Sequence, residues 1–424
     1  MTRPKNFSAT AEETSRPDPH AGGLLRHPGL MAFLMARTSS SFSSCVQAVA
    51  VGWQIYALTH SARSLALVGL AQFFPMICLT MLAGHAADHM NRRRIAMTCQ
   101  GIEAASALIM ATAAFGGWTT PGMIYAMVMV FGMARAFEMP CQQTFLPSIV
   151  PPYMFPRAAA VSSSLFQAAA VTGPSVGGLL YGAGAGLCYM ICALGFALAM
   201  LGTFLLPLRN IARPRQPMSL SMFMDVWRFM RKRPDMLGAI SLDLFAVLLG
   251  GATAMLPVYA SDILHAGPMG LGLLRAAPAM GAVACAVFFV WKPLNHRAGP
   301  SMFAAVATFG VATIVFAFST SMPLSILALA VLGAADVVSV VVRGALVQLR
   351  TPDSMRGRVS AVNMLFIGSS NQLGEFESGM LASAIGPVEA VALGGVGTIA
   401  VTLLWMAMFP SLRRLDRLDD IRAE

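Results

Sequence analysis

Pro151-Pro152-Tyr153-Met154-Phe155-Pro156-Arg157-Ala158-Ala159-Ala160-Val161 returns 201 residues later as Pro352-Asp353-Ser354-Met355-Arg356-Gly357-Arg358-Val359-Ser360-Ala361-Val362, with Pro, Met, Arg and the closing Ala-Val in register. The same offset lays Gly132 on Gly333, Gly173 on Gly374 and Gly178 on Gly379. Nearer the starts of the two halves, His27-Pro28 and Arg233-Pro234 align at a slightly different offset, as drift in loop length produces. The chain is an internal duplication, and whatever one half folds into, the other repeats.

Each half holds six apolar stretches. Of the 424 residues 56% are hydrophobic and only 11% charged, with a mean hydropathy of +0.67, against roughly 25% charged in a soluble protein. A helix needs about 20 apolar residues to cross the hydrocarbon core. Punctuation by Gly, Pro and charge divides the chain at 29–57, 65–87, 94–115, 122–146, 156–183 and 186–207, then at 236–261, 268–291, 299–319, 322–349, 357–384 and 387–409. The predicted fold is all-α and integral to the membrane, with twelve transmembrane helices in two pseudo-symmetric six-helix bundles. Residues 29–207 and 236–409 form the bundles. Residues 1–28, polar and without the apolar core of a signal peptide, read as a disordered cytoplasmic tail, and 410–424 as a second tail. In the linker 208–235, Met218 to Arg233 alternates Met, Phe and Trp with Asp and Arg at helical spacing, the pattern of an amphipathic helix lying on the membrane.

The net charge of +10 is spread between apolar runs instead of forming one basic domain, which argues against nucleic acid as a partner. Its placement follows topology. Arg92, Arg93, Arg94, Arg157, Lys292, Arg297, Arg350, Arg356 and Arg358 fall in turns on one side, together with the tails and linker. The opposite turns, such as Gly116-Gly117-Trp118-Thr119-Thr120, carry almost none, Arg63 excepted. The positive-inside rule makes the Arg-rich side cytoplasmic, with both termini there. The seven cysteines, Cys45, Cys78, Cys99, Cys141, Cys188, Cys192 and Cys285, lie in or beside apolar segments without metal or redox spacing and read as packing residues.

The turn after the second span reads Gly84-His85-Ala86-Ala87-Asp88-His89-Met90-Asn91-Arg92-Arg93-Arg94. An Asp at a helix end beside an Arg run suits contacts made in only one state of a switch. In the fifth span, Gly173-Pro174-Ser175-Val176-Gly177-Gly178 weakens the helix and admits a close neighbour. The first stretch resembles the signature loop of the major facilitator superfamily, with Ala86, His89 and Asn91 departing from its pattern; the second resembles an element of that superfamily's proton-coupled antiporters. With His27-Pro28-Gly29, Arg356-Gly357-Arg358 and Asn371-Gln372-Leu373-Gly374-Glu375-Phe376-Glu377-Ser378-Gly379, the pattern over residues 27–410 resembles the branch that contains the enterobactin exporter.

The resemblance implies alternating access between two bundles: a gating loop at Gly84, Asp88, Arg92, Arg93 and Arg94, an antiporter bend at Gly173, Pro174, Gly177 and Gly178, and proton-coupled export of a siderophore or other amphipathic small molecule across the bacterial inner membrane. No cofactor is expected, the coupling ion being H+. The expected partners are the lipid bilayer and a small-molecule substrate, and the chain is expected to act as a monomer. Uptake of a polar nutrient or lysolipid, and a receptor or scaffold that transports nothing, are the alternatives. HExxH and Walker motifs are absent, so the chain does not read as an enzyme.

A charge at the bilayer centre costs at least about 2.5–3.5 kcal/mol, so an embedded ionisable residue is a functional candidate with a partner. The candidates are Arg37, Arg135, Glu138, Asp243, Arg275, Asp336, Arg343, Glu375 and Glu377. Glu103, like Arg37, counts as close enough to its cytosolic helix end to snorkel. The repeat pairs Arg135 with Asp336 and Arg37 with Asp243, opposite charges that would meet when the cytoplasmic side is shut. Competing partners lie on the same helices, Arg135 with Glu138 and Asp336 with Arg343. Glu375 and Glu377 point to opposite sides of one helix, and Arg275 is a counter-ion for either or a site for an anionic substrate. Gln47, Gln54, Gln72, Gln142, Gln143, Asn363 and Gln372 add polar lining.

Overall fold

The computed structural model describes residues 27, 29–151, 153–207, 220–292 and 296–416. The tail at 1–28, except residue 27, the linker at 208–219 and the tail at 417–424 lie outside the described residues, as do some helical side chains, Asp88 and Arg356 among them. Helices α1 (Leu30–Thr59), α2 (Ala62–His89), α3 (Arg92–Gly116), α4 (Pro121–Ile149), α5 (Phe155–Ala183) and α6 (Ala185–Phe204) form the first bundle. The short α7 (Leu220–Arg231) leads to α8 (Pro234–Leu249), which continues through a 3-10 turn (Ala252–Met255), the single turn α9 (Leu256–Val258) and a π turn (Tyr259–Ile263). Helices α10 (Gly267–Trp291), α11 (Ala298–Ala317), α12 (Met322–Arg350), α13 (Asp353–Ile385) and α14 (Pro387–Met408), then the turn α15 (Pro410–Arg413), complete the second.

Among the described residues nine of these passages are long and apolar enough to span a membrane by length and composition. The other three long helices are α1, α5 and α13; α5 packs on α10 and α13 on α2 across the bundle interface, and α1 and α13 line the cavity there. The pairing repeats as the sequence does. Contacts of α2 with α4, α3 with α6 and α1 with α5 are matched by α10 with α12, α11 with α14 and α8 with α13. The glycines aligned by the repeat sit on these matched contacts. A Cβ on Gly132 would strike the Gln72 carbonyl oxygen, and one on Gly333 that of Pro278. Added to Gly173 it would lie 2.6 Å from Cys45 Cβ, and on Gly374 2.9 Å from the Leu248 carbonyl oxygen. Helix backbones touch where only hydrogen occupies the α-carbon, which replaces the hydrophobic drive that lipid cannot supply.

Three expectations are corrected. The seventh span is not one helix: α8 stops at Leu249, and beyond it Gly251 runs against the backbone of α13, where a Cβ would lie 2.6 Å from the Gly374 carbonyl oxygen. Residues 410–416 are not a free tail. Leu412 is fully buried, and the Ala298 and Gly299 amides donate to the carbonyls of Asp416 and Leu415 at 3.0 Å, capping α11. Asp235 belongs to α8 instead of the linker and pairs with Arg350 at 3.0 Å. The amphipathic helix is present as α7, with Val226 and Met230 buried against the bundle and Met224 and Trp227 exposed.

Replacing Gly132 or Gly333 with Val inserts a branched side chain between touching backbones, for which overpacking costs about 1–3 kcal/mol. Each substitution should lower the melting temperature of the detergent-purified protein; an unchanged melt at both positions would contradict the close approach.

Candidate functional site

The bundles touch at one end and part at the other. Helices α5 and α10 meet where a Cβ on Gly178 would strike the Pro268 carbonyl oxygen, and α2 meets α13 where one on Gly379 would lie 2.6 Å from Ala66 Cβ. There too the Tyr56 hydroxyl donates to the Asp262 carboxylate, tying α1 to the π turn. This is the end opposite the start of α1 and the end of α14. Towards the other end, Gly84 has open space around its α-carbon and lines a cavity between the bundles.

The cavity has two chambers that share Gln72, Arg135 and Gln372. The inner one, about 230 Å3, is polar: Gln47, Arg135, Arg275 and Glu375 line it. The outer one, about 380 Å3, presents Phe73, Met76, Met139 and Pro140 beside Gln143 and Asn371. One chamber suits the polar end of a ligand and the other its apolar body, with methionines free to repack around different shapes.

Of the embedded charges, the structure brings Arg275 and Glu375 to the inner chamber, where their charges interact. Glu375 also lies against α2, its carboxylate oxygen 3.6 Å from where a Cβ on Gly69 would be. Glu377 is turned elsewhere, with Ser378 Oγ donating to it at 3.4 Å. Arg135 faces the same chamber, donates to Ser44 Oγ at 3.2 Å, and approaches Glu138 Oε2 at 3.7 Å. Glu138 itself points away from the cavity into its own bundle, where Ser40, Gln100 and Gln142 donate to its Oε1 at 3.4, 2.9 and 2.6 Å. Beside it lies Glu103, completely buried and not snorkelling as its distance along α3 suggested.

Neither cross-bundle pair from the repeat is made in this conformer. Asp243 takes the guanidinium of Arg343 and the hydroxyl of Ser339 at 3.3 Å, within the second bundle. Asp336 shares a small void with Asp243, lined only by residues of that bundle, and the intrahelical partner expected for it is engaged by Asp243. Arg37 lies over the Phe166 ring at 5.9 Å. Spacing along one helix could not reveal the Asp243–Arg343 pair, whose members are 100 residues apart.

The loop after α2 is built as a helix junction. The Asn91 side chain accepts from the Arg93 and Arg94 amides at 3.1 and 3.3 Å, capping α3, which gives the departure from glycine a role. Arg92 donates to the Ala87 carbonyl at 2.8 Å, and Arg93 reaches the last carbonyls of α6, at Phe204 and Leu206. Arg94 is exposed, and the Asp88 side chain lies outside the described residues. Gly173 and Gly177 pack on α1 and Gly178 on α10, while α5 runs unbroken through Pro174.

A family model described as transmembrane secretion effector matches residues 24–423. The chain belongs to that family of the major facilitator superfamily. Among curated proteins, this secretion-effector relative is 27% identical over 402 residues to the multidrug efflux pump Tap of Mycobacterium tuberculosis, covering 91% of this chain and 94% of Tap. It is also 27% identical over 406 residues to the enterobactin exporter EntS of Citrobacter koseri, covering 92% and 94%. Its fold matches a bacterial homologue of the lysosomal transporter Spinster, solved inward-facing and occupied, with a TM-score of 0.69 at 15% identity over 92% of this chain and 96% of that one. The protein is a multi-pass membrane transporter and not an enzyme.

Breaking a buried ion pair by removing one partner costs about 3–5 kcal/mol, because the other charge is left uncompensated. Asp243→Asn should therefore lower the melting temperature markedly, and adding Arg343→Met should restore most of the loss. A double variant no more stable than the single one would contradict the pairing.

Proposed function

We propose that the protein exports amphipathic small molecules, siderophores among them, from the cytoplasm by proton-coupled antiport. The observation that carries this reading is the two-chamber cavity, charged within and lined by Met and Phe without, closed at the end opposite the termini. The names of the relatives, a multidrug pump and an enterobactin exporter, support the same direction and breadth. The cation-rich turns support a cytoplasmic position for the open end. This conformer is then inward-facing, ready to take substrate from the cytosol. The cavity lies between two bundles of one chain, so a monomer is sufficient.

Alternating access follows from the contacts. Separation of Gly178 from α10 and of Gly379 from α2 opens the far end, while the outer chamber closes around Gly84. The closed end is held by backbone contacts at glycine, by apolar side chains of both bundles and by the Tyr56–Asp262 hydrogen bond, and its opening separates these. Glu375, beside Arg275 in the inner chamber, competes with substrate for that cation.

Everted membrane vesicles test the reading. With ethidium, and separately with an iron-free catecholate siderophore, vesicles containing the protein should accumulate the probe when a pH gradient is imposed and lose it when a protonophore collapses the gradient. Glu375→Gln should depress accumulation by about tenfold or more, equivalent to the loss of one interaction of about 1.4 kcal/mol. Accumulation of neither probe above that of vesicles lacking the protein would overturn export, and accumulation indifferent to the protonophore would overturn proton coupling.

A further inference from the structure

Glu103 on α3 and Glu138 on α4 are 0% and 1% exposed and adjacent. All three hydrogen-bond donors that reach Glu138 go to Oε1. Its Oε2 has Arg135 at 3.7 Å but no hydrogen bond, and neither oxygen of Glu103 has a donor at bonding geometry. Three buried carboxyl oxygens are thus gathered at one place without a donor, a situation that folded proteins avoid because each unmet polar group keeps its full desolvation cost. Two buried carboxylates beside a single cation also leave one negative charge uncompensated, which the membrane interior opposes.

One proton removes both difficulties. A carboxylic acid supplies the donor that the site lacks, and the acid–carboxylate pair then carries one negative charge against the one positive charge of Arg135. The other ionisable groups beside the pair are the thiols of Cys99 and Cys141, on the same two helices. From α1 comes the Ser40 hydroxyl, while Arg37 on that helix lies over Phe166. Helix α6, packed along α3, carries no charged residue, and α2, packed along α4, carries Arg63, His85, Asp88 and His89 only towards its ends.

We propose that Glu103 and Glu138 form a shared-proton site inside the first bundle, and that this is the proton exchanged during transport. The second half of the statement rests on the proton-coupled reading above. The first does not. The pair is shut off from the cavity, so a ligand cannot touch it, and Arg135 is the link: it lines the inner chamber and approaches Glu138. A ligand that displaces Arg135 changes the charge facing the pair and therefore how firmly the proton is held. Substrate and proton then communicate through one guanidinium without sharing a site.

Infrared difference spectroscopy of the purified protein near neutral pH tests the site without any substrate. The carbonyl stretch of a protonated carboxyl should be present in the natural protein and lost in Glu103→Gln; spectra identical in that region overturn the site. Should Glu103→Gln fail to fold, Glu138→Gln must shift or remove the same band, because the partner of the acid has become an amide, and an unshifted band overturns the sharing. Coupling is read in proteoliposomes with ethidium as the probe. An imposed pH gradient should accelerate ethidium transport by the natural protein, and Glu103→Gln should lose that acceleration. If the band is lost but the acceleration remains, the pair is not the coupling site. If the natural protein itself ignores the gradient while the band behaves as stated, proton coupling fails and the shared-proton site stands.

Discussion

Charge inside a bilayer has no water to lean on, and the whole arrangement depends on how this chain compensates it. In the second bundle the answer is a closed pair, Asp243 with Arg343, locked between α8 and α12. The first bundle leaves its cation, Arg135, at the cavity wall and draws its carboxylates, Glu138 and Glu103, inwards. The repeat has therefore kept the helix framework and diverged in its ionic interior. Arg135 and Asp336 occupy matched positions with opposite charge, one open to the cavity and one enclosed. Arg275 and Glu375 keep a further pair of second-bundle charges at the cavity, so the enclosed charges of that bundle are Asp243, Arg343 and Asp336.

Glycine supplies the complementary constraint. The aligned glycines mark contacts within each bundle and, at Gly178 and Gly379, two of the contacts between bundles. Contacts of backbone on backbone depend on shape more than on charge; the Asp262 carboxylate, which takes the Tyr56 hydroxyl across the closed end, gives up that donor when the end opens. The charged groups are kept in the cavity or inside a bundle, where rigid-body motion of one bundle against the other does not pull them apart.

Much of this was legible in the sequence because hydropathy, helix length and the repeat all obey local rules. Punctuation gave the spans, and the 201-residue offset paired Gly132 with Gly333 before their contacts were visible. The break after Leu249 was signalled by Gly250-Gly251 but not distinguishable from a flexible position in a continuous helix, since the contact of Gly251 with the backbone of α13 is tertiary. Glu103 reads as near enough to its helix end to snorkel when depth is taken along its own helix, whereas its burial comes from the packing of α3 on α4. Likewise Asp243 and Arg343 meet through tertiary packing, which spacing within one helix cannot encode. For Arg275 the sequence leaves Glu375, Glu377 and an anionic substrate open as partners, and the structure puts Glu375 in the same chamber.

The central claim is that one pair of helices, α5 and α10, closes at one end while it opens at the other. Spin labels at Tyr153 and Trp291 report the end near the termini, and labels at Ala183 and Met269 the opposite end; all four positions are exposed. Double electron–electron resonance on the two doubly labelled proteins, in lipid nanodiscs at neutral and at acidic pH, should show the two distances changing in opposite directions. Distances that stay fixed, or that lengthen and shorten together, would contradict alternating access by these bundles.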